Sequence, residues 1–151
     1  MANTFVKNYI HLVFHVKSRG LTMRKEDLPL VFDYIGGIVR NIDGFPIMVG
    51  GVENHIHILS SLPKNMTLAD FVRTVKANSS KWLKTVDMYY SGFEWQTGYG
   101  AFSVSQSLIE QTERYIRNQE RHHAKQSFNT EIRAILDAHE MEYDEQYLLG
   151  E

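Results

Sequence analysis

The chain has 151 residues and no cysteine, and its 16 basic and 18 acidic residues leave a formal net charge of −2. This length favours one domain that buries enough apolar surface to fold without a disulfide or a structural metal. The lack of cysteine predicts a cytoplasmic protein, and neither a run of about 20 apolar residues nor a signal-peptide layout at the start indicates a membrane protein or a secreted one.

Residues 4–17 (TFVKNYIHLVFHVK) are rich in β-branched and aromatic residues, which predicts a long strand. Apolar residues at helical spacing predict a helix from about Arg24 to Asn41. Residues 43–52 (DGFPIMVGGV) then predict a turn and a strand, and residues 55–63 (HIHILSSLP) predict a second strand that ends at Pro63. Thr67, with Asp70 three residues later, predicts the capped start of a second helix. A glycine- and aromatic-rich loop then leads into a short strand at 101–105 and a final long helix from about Ser107 to Lys125.

This order of elements predicts an α+β fold of the ferredoxin-like, split-βαβ type. Helices would pack on one face of an antiparallel sheet, with an extra C-terminal helix after the fourth strand. After residue 128 the chain has one cation and seven anions, so residues 1–128 carry 15 cations and 11 anions. We therefore predict a mildly basic domain over residues 1–128 and an acidic C-terminal tail over residues 129–151.

The first pattern that could carry chemistry is the triplet His55-Ile56-His57 in a predicted strand. Residues two apart on a strand point to the same face, so the two imidazoles would lie side by side while Ile56 faces the core. Two neutral imidazoles are good ligands for a divalent cation. A half-exposed strand with two surface histidines would show the same pattern, and this alternative stays open.

The second pattern is Tyr115 and Gln119 in the final helix. Residues four apart share a helix face, as they would in an ordinary amphipathic surface helix. A phenol beside a metal can also attack a phosphodiester, and an amide oxygen can serve as a third, hard ligand.

Basic and hydroxyl side chains form the third pattern, and such groups commonly contact nucleic-acid phosphates. A solvated helix face would look the same. The aromatic residues of the loop and fourth strand, among them Phe93 and Trp95, could stack on unpaired bases or close the loop onto the core. The candidate DNA contacts are Arg73, Lys76, Ser80, Lys81, Arg117 and Arg121.

Taken together, the histidine triplet, the VKANSSKWL helix and the run from WQTGYGAFSVS to YIRNQERHH resemble the single-tyrosine HUH transposases. These are small enzymes of bacterial and archaeal insertion sequences that move as single-stranded DNA, and REP-associated tyrosine transposases are their relatives. The resemblance extends to about Phe128 and leaves the acidic tail outside.

The resemblance implies that His55, His57 and Gln119 bind a divalent metal, Mg²⁺ or Mn²⁺, and that Tyr115 is the nucleophile. The reaction would cleave single-stranded DNA to a 5′-phosphotyrosine and a free 3′-hydroxyl, and then rejoin it, during excision and integration of the element. The partners implied are DNA with subterminal hairpins and a second copy of the chain. We expect the first strand, near residues 4–16, to be a sheet edge that pairs across such a homodimer.

Three other functions stay open at this point. One keeps the nuclease chemistry in a domesticated enzyme, or in a plasmid replication or relaxase nicking domain. The second is a non-enzymatic ferredoxin-like protein that binds nucleic acid. The third is a metal-dependent hydrolase of small phosphoesters, which would not need Tyr115. The histidine pair on the exposed sheet face, where RNA-binding sheets display aromatic residues, favours catalysis.

Overall fold

A computed structural model describes residues 3–17 and 19–148 of the chain. Four strands and five α-helices form the framework of the described part. They are β1 (Tyr9–His15), α1 (Leu28–Asn41), β2 (Pro46–Val52), β3 (His55–Ser61), α2 (Leu68–Val86), β4 (Gly100–Val104), α3 (Ile109–Arg117), α4 (Gln119–His123) and α5 (Phe128–Ala138).

The strands form one antiparallel sheet in the order β2-β3-β1-β4. This order, with α1 and α2 as the two crossover helices, confirms the predicted ferredoxin-like α+β fold. The expectation that the first strand is a sheet edge is wrong, because β1 pairs with β3 on one side and with β4 on the other. Its long apolar run is instead that of a central strand buried on both faces.

The two faces of the sheet bury different side chains. On one face, Phe14, Ile56 and Ile58 are fully buried in the main core, where the apolar sides of α1 and α2 cover them. The alternate residues of β1 and β3 point to the second face, where His55 and His57 are also fully buried. Helices therefore cover both faces of the sheet, and the second face combines apolar packing with a polar cluster.

Helix α2 confirms the predicted cap, and the loop that follows it shows which of the two alternatives for its aromatic residues the fold adopts. The Thr67 hydroxyl accepts a hydrogen bond from the Asp70 amide at 3.1 Å, which is the expected N-cap. The loop aromatics close onto the core: Phe93 is fully buried, and Trp95 packs edge-on against Phe14 and donates from Nε1 to the Ser79 hydroxyl at 3.0 Å.

The final helix is not continuous, in contrast to the helix predicted over residues 107–125. It breaks at Asn118, whose φ of −95° and ψ of 18° lie outside the α-helical region, so α3 ends at Arg117 and α4 begins at Gln119. Tyr115 and Gln119 consequently lie on two separate helices, α3 and α4. Both still face the sheet, and Gln119 is almost fully buried.

Glycine at position 50 allows α3 to dock closely on β2. A Cβ atom at Gly50 would lie 2.8 Å from the Ile116 Cγ2 atom and 2.9 Å from the Ile116 carbonyl oxygen. The second of these contacts is with backbone, which cannot rotate away. Because Ile116 precedes the break and follows Tyr115, the position of the tyrosine depends on this close approach.

The predicted boundary at residue 128 does not separate a domain from a free tail. Helix α5 begins there, and its Phe128 and Ile132 side chains are buried against Val13 and Phe102 of the sheet, together with Leu148. The acidic residues at 137, 140, 142, 144 and 145 are exposed, as a tail would have them, but Glu131 is buried. Residues 128–148 are thus part of the layer that covers the second sheet face.

In the part of the chain that the structure describes, no helix combines the length and the hydropathy needed to cross a bilayer.

We expect Gly50→Ala to lower the free energy of unfolding by about 1–3 kcal/mol, because the added methyl group overpacks the contact with Ile116. Gly37→Ala is the matched control, since a Cβ atom there meets nothing within 4 Å and alanine is favoured over glycine inside a helix by about 0.5–1 kcal/mol. Urea unfolding of both variants measures the difference. Equal stabilities for Gly50→Ala and the wild type would contradict the close docking of α3.

Candidate metal centre and tyrosine nucleophile

Two imidazoles from β3 and one carboxylate from α5 converge on the second sheet face. His55 and His57 lie on the same side of β3, as the triplet predicts, and a Glu131 oxygen (Oε1) lies 3.2 Å from Nε2 of His55 and 3.4 Å from Nε2 of His57. One potential ligand atom from each residue lies within 4.8 Å of the others, and all three side chains are buried. The three residues could hold a metal ion.

Neighbouring groups determine which nitrogen of each histidine faces this centre. The Asn54 side-chain oxygen lies 2.7 Å from Nδ1 of His55, and because an amide oxygen only accepts hydrogen bonds, Nδ1 carries the proton. On the other histidine, Nδ1 of His57 lies 2.8 Å from Nε2 of His11. Both histidines therefore direct Nε2 toward the centre.

Gln119 reaches the same centre from the first turn of α4. Its amide oxygen lies 3.0 Å from Nε2 of His55, and its amide nitrogen donates to Oε2 of Glu131 at 2.9 Å. The structure thus brings together the three residues that the resemblance implies as ligands, His55, His57 and Gln119, and adds Glu131 to them.

Tyr115 approaches from α3. Its hydroxyl donates a hydrogen bond to Oε2 of Glu131, and its ring stands edge-on to the His57 ring, with 5.8 Å between centroids. Burial, reinforced by the Glu131 carboxylate, raises the pKa of the Tyr115 hydroxyl above its usual value. A phenol in this position stays protonated until positive charge is brought near it.

The charge states of the cluster are compatible with a bound cation. Burial lowers the pKa of His55 to about 4 and that of His11 to about 3, so both imidazoles are neutral at pH 7. With its proton on Nδ1, His55 directs the Nε2 lone pair at two oxygens, one from Gln119 and one from Glu131. Lone pairs that face one another in a dry interior repel, and a divalent cation among them turns the repulsion into coordination.

His123 balances part of the negative charge. Its Nε2 lies 2.9 Å from Oε1 of Glu131 and its Nδ1 lies 3.0 Å from the Gln126 carbonyl, so both nitrogens face acceptors. Burial would lower the pKa of His123, but the hydrogen bond and the negative charge of Glu131, together with the Gln126 carbonyl, raise it overall. Burial would likewise raise the pKa of the Glu131 carboxyl, but hydrogen bonds to it, first of all the one from His123, hold it below its usual range.

Sequence reasoning missed Glu131, His123, Asn54 and His11. From the sequence, Glu131 is only one of the seven anions of the acidic tail. A signal for Glu131 was present, because it lies between Phe128 and Ile132, at the spacing of one helix face. A single carboxylate on the apolar stripe of a helix needs a buried partner.

The six candidate DNA contacts lie outside this cluster, in two groups. Four are on α2, which packs on the opposite sheet face; there Lys76 donates to the Gln96 and Gly98 carbonyls at 2.8 and 2.5 Å, while Arg73 pairs with Asp70. Ser80 and Lys81 follow on the same helix. Arg117 and Arg121 are exposed on α3 and α4, nearer to Tyr115, and Arg117 pairs with Glu113 at 2.7 Å.

The fold and the site together define a class: a ferredoxin-like protein whose sheet presents a buried histidine pair and a carboxylate beside a helix-borne tyrosine. Comparison with protein families agrees with this description, since the model of the family described as Transposase IS200 like matches residues 4–119. The chain therefore belongs to the IS200-like transposases, a family of enzymes that cut and join DNA strands. A search of curated proteins finds no match.

Solved structures show the same fold. A candidate transposase from Deinococcus radiodurans R1 is 20% identical over 79% of this chain and 96% of its own, with a TM-score of 0.60. A REP-associated tyrosine transposase, solved bound to a REP hairpin, is 11% identical over 82% of this chain and 74% of its own, with a TM-score of 0.57.

We expect Mn²⁺ to raise the melting temperature of the full chain relative to the same sample in EDTA. At a concentration 100 times the dissociation constant, binding stabilises the native state by about 2.7 kcal/mol, which corresponds to a rise of about 5–10 °C for a chain of this size. His57→Ala and Glu131→Ala should abolish the rise. His139→Ala, which removes an exposed histidine, should keep it, and loss of the rise in this variant would point to nonspecific binding.

Proposed function

We propose that this chain is a metal-dependent single-stranded DNA transposase that cleaves and rejoins DNA through a 5′-phosphotyrosine at Tyr115. One observation carries the proposal: a tyrosine hydroxyl, two imidazole nitrogens and two side-chain oxygens from four separate elements meet in one buried cluster. A structural core does not need such a convergence of acceptors, and a nucleophile beside a Lewis acid does. Membership of the transposase family supports the same assignment.

His55, His57 and Gln119 would hold the ion, Mg²⁺ or Mn²⁺, and Oε1 of Glu131 would complete the set. Mixed nitrogen and oxygen donors of this kind suit both ions, although each imidazole favours Mn²⁺ over Mg²⁺. When bound, the cation supplies positive charge that polarises the scissile phosphate and favours the ionised phenol.

The two oxygens of Glu131 face different partners, which suggests two roles. Oε1 faces His55 and His57, whereas Oε2 accepts the hydrogen bond of the Tyr115 hydroxyl. In the cleavage step the Tyr115 oxygen would attack the phosphorus and form the phosphotyrosine bond, while the phenolic proton passes to Oε2. The bond between phosphorus and the 3′-oxygen breaks, and that oxygen takes up a proton to become a free 3′-hydroxyl.

Rejoining is the reverse step with another strand. Its 3′-hydroxyl attacks the phosphotyrosine, the tyrosine oxygen leaves, and Tyr115 regains its proton. The energy of the phosphodiester is kept in the covalent link, so the reaction needs no nucleoside triphosphate.

The proposed partner is single-stranded DNA with hairpins near its ends, and the protein would act on it in the cytoplasm. Support comes from the REP-associated neighbour, which was solved bound to a REP hairpin. Arg117 and Arg121 are the predicted contacts nearest to the tyrosine, and Arg73, Lys76, Ser80 and Lys81 would belong to a second DNA surface across the sheet. Lys76 is the least available of them, because its amine is already bound to two carbonyls.

We also propose that the chain acts as a homodimer. Since β1 is central, pairing between copies would use one of the two edge strands, β2 or β4. Light scattering at micromolar concentration should give twice the monomer mass of 17.5 kDa. A monomer mass across the concentration range would contradict the dimer and leave the chemistry at Tyr115 untouched.

We expect wild-type protein, single-stranded DNA and Mn²⁺ to give a covalent protein–DNA adduct that survives denaturing electrophoresis. Tyr115→Phe should abolish the adduct, because it removes the attacking oxygen and leaves the ring packing intact. Tyr34→Phe is the control; this tyrosine lies on α1, stacked on Trp82, and its loss should leave the adduct yield unchanged.

Two results of this experiment would contradict the proposal. An adduct that persists in Tyr115→Phe would show that another group is the nucleophile. DNA binding without any adduct, in either Mg²⁺ or Mn²⁺, would favour a non-enzymatic nucleic-acid-binding protein.

His57→Ala should lose cleavage while keeping DNA affinity, since the histidine lies beneath the helices rather than on the outer surface.

A further inference from the structure

A second row of histidines lies behind the candidate ligands, on the neighbouring strand. His11 and His15 of β1 point to the same sheet face as His55 and His57, and both are buried. His15 is directly opposite His55 in the ladder, whereas His11 is opposite Leu59 and reaches His57 diagonally. The metal function proposed above does not use this row.

The contact between His11 and His57 is a hydrogen bond between two ring nitrogens. Nε2 of His11 lies 2.8 Å from Nδ1 of His57, and the rings are stacked with 5.0 Å between centroids and an angle of 29° between planes. A ligand nitrogen must carry a lone pair, so His57 can bind a metal through Nε2 only if its proton is on Nδ1. Nδ1–H of His57 then donates to Nε2 of His11.

His15 makes no corresponding bond among the described contacts, although its position is similar. Its ring lies parallel to that of His55 at 6.2 Å, too far for a hydrogen bond, and its Nδ1 donates to the Val16 carbonyl at 2.6 Å. His55 instead donates its Nδ1 proton to the side-chain oxygen of Asn54, which lies in the turn between β2 and β3. Each of the two candidate histidine ligands therefore has one outer hydrogen-bond partner, and His15 is a partner of neither.

We propose that His11 is a positioning residue for the metal centre: its Nε2 accepts a hydrogen bond from Nδ1–H of His57 and so fixes both the tautomer and the ring orientation that direct Nε2 of His57 at the ion. Asn54 does the same for His55. Outer partners of this kind usually contribute about 10–100-fold to metal affinity. The proposal rests on the proposed function, because it takes His57 as a ligand.

The packing around His11 explains why its acceptor nitrogen holds one direction. Its ring stands edge-on to Phe102 and to Tyr115, with centroids at 6.3 and 6.2 Å, and β1 is hydrogen-bonded on both sides. The acceptor is thus held by a central strand and by two aromatic rings, one of which belongs to the candidate nucleophile.

Calorimetric titration of the full chain with Mn²⁺ tests the proposal in three variants. His11→Phe keeps a ring but loses the acceptor, and should weaken Mn²⁺ binding by about 10–100-fold. His11→Gln offers an amide oxygen at similar reach and should recover most of the affinity. His15→Phe is the matched control: the same residue type on the same strand and face, with no bond to a ligand, should bind within about twofold of wild type, well below that loss.

A second measurement on the wild-type chain does not depend on a variant that folds. Long-range proton–nitrogen spectra of the histidine rings, recorded in EDTA, should show His57 protonated on Nδ1 with a free Nε2. The opposite tautomer would overturn the proposal.

The outcomes distinguish failure of the metal site from failure of the positioning role of His11. If the wild type does not bind Mn²⁺, the proposed metal function fails. If the wild type binds and His11→Phe binds equally well, or if His15→Phe loses as much affinity as His11→Phe, the positioning role of His11 fails while the metal site stands.

Discussion

The buried carboxylate of Glu131 is the interaction on which the site depends. An isolated carboxylate in a dry interior costs several kcal/mol, and it is tolerated only when hydrogen bonds and opposite charge surround it. Here α5 brings Glu131 to a point where His123 supplies the charge and Tyr115 and Gln119 donate hydrogen bonds. The docking of α5, the positions of α3 and α4, and the approach of the tyrosine to the histidines are therefore linked through one side chain.

The sheet makes this arrangement possible because one face packs into the main core and the other carries the polar cluster. Ile56 and Ile58 bury themselves in the main core with α1 and α2, and this packing fixes β3 in position and in register. Because side chains alternate along a strand, the same register places His55 and His57 on the other face. The two histidines are buried and still keep one orientation, because the packing of Ile56 and Ile58 on the opposite face holds β3 in place.

The positions of Tyr115 and Gln119 over the second face depend on two features of the backbone rather than on large side chains. Because Gly50 has no side chain, Ile116 of α3 lies directly on β2. The helix break at Asn118 lets Gln119 begin a new helix, with its side chain buried toward the sheet. The first detail sets the height of Tyr115 above the sheet, and the second sets the direction of the amide. Preorganisation of this kind matters in a centre where displacements of about 1 Å change reactivity strongly.

The sequence by itself determined the elements and the local pairings. The alternation in HIHIL shows which residues share a face, and the order of strands and helices identifies the split-βαβ fold. The Thr67 cap and the Tyr115–Gln119 pair likewise follow from rules that act within a few residues. These local patterns single out four of the five side chains that meet at the centre, and the resemblance to the transposases supplied the roles expected of them. The four are His55, His57, Tyr115 and Gln119.

Only the tertiary structure decided what lies across space from them. The central position of β1 depends on pairing with strands far away along the chain, so its apolar run was mistaken for an edge. Glu131 follows the strand histidines by more than seventy residues, and it resembles its acidic neighbours until α5 is docked. His11 and Asn54 acquire a role only when the register of β1 and the turn after β2 bring them against imidazole nitrogens. Long-range contacts of this kind depend on how the whole chain packs, and a local sequence pattern does not predict them.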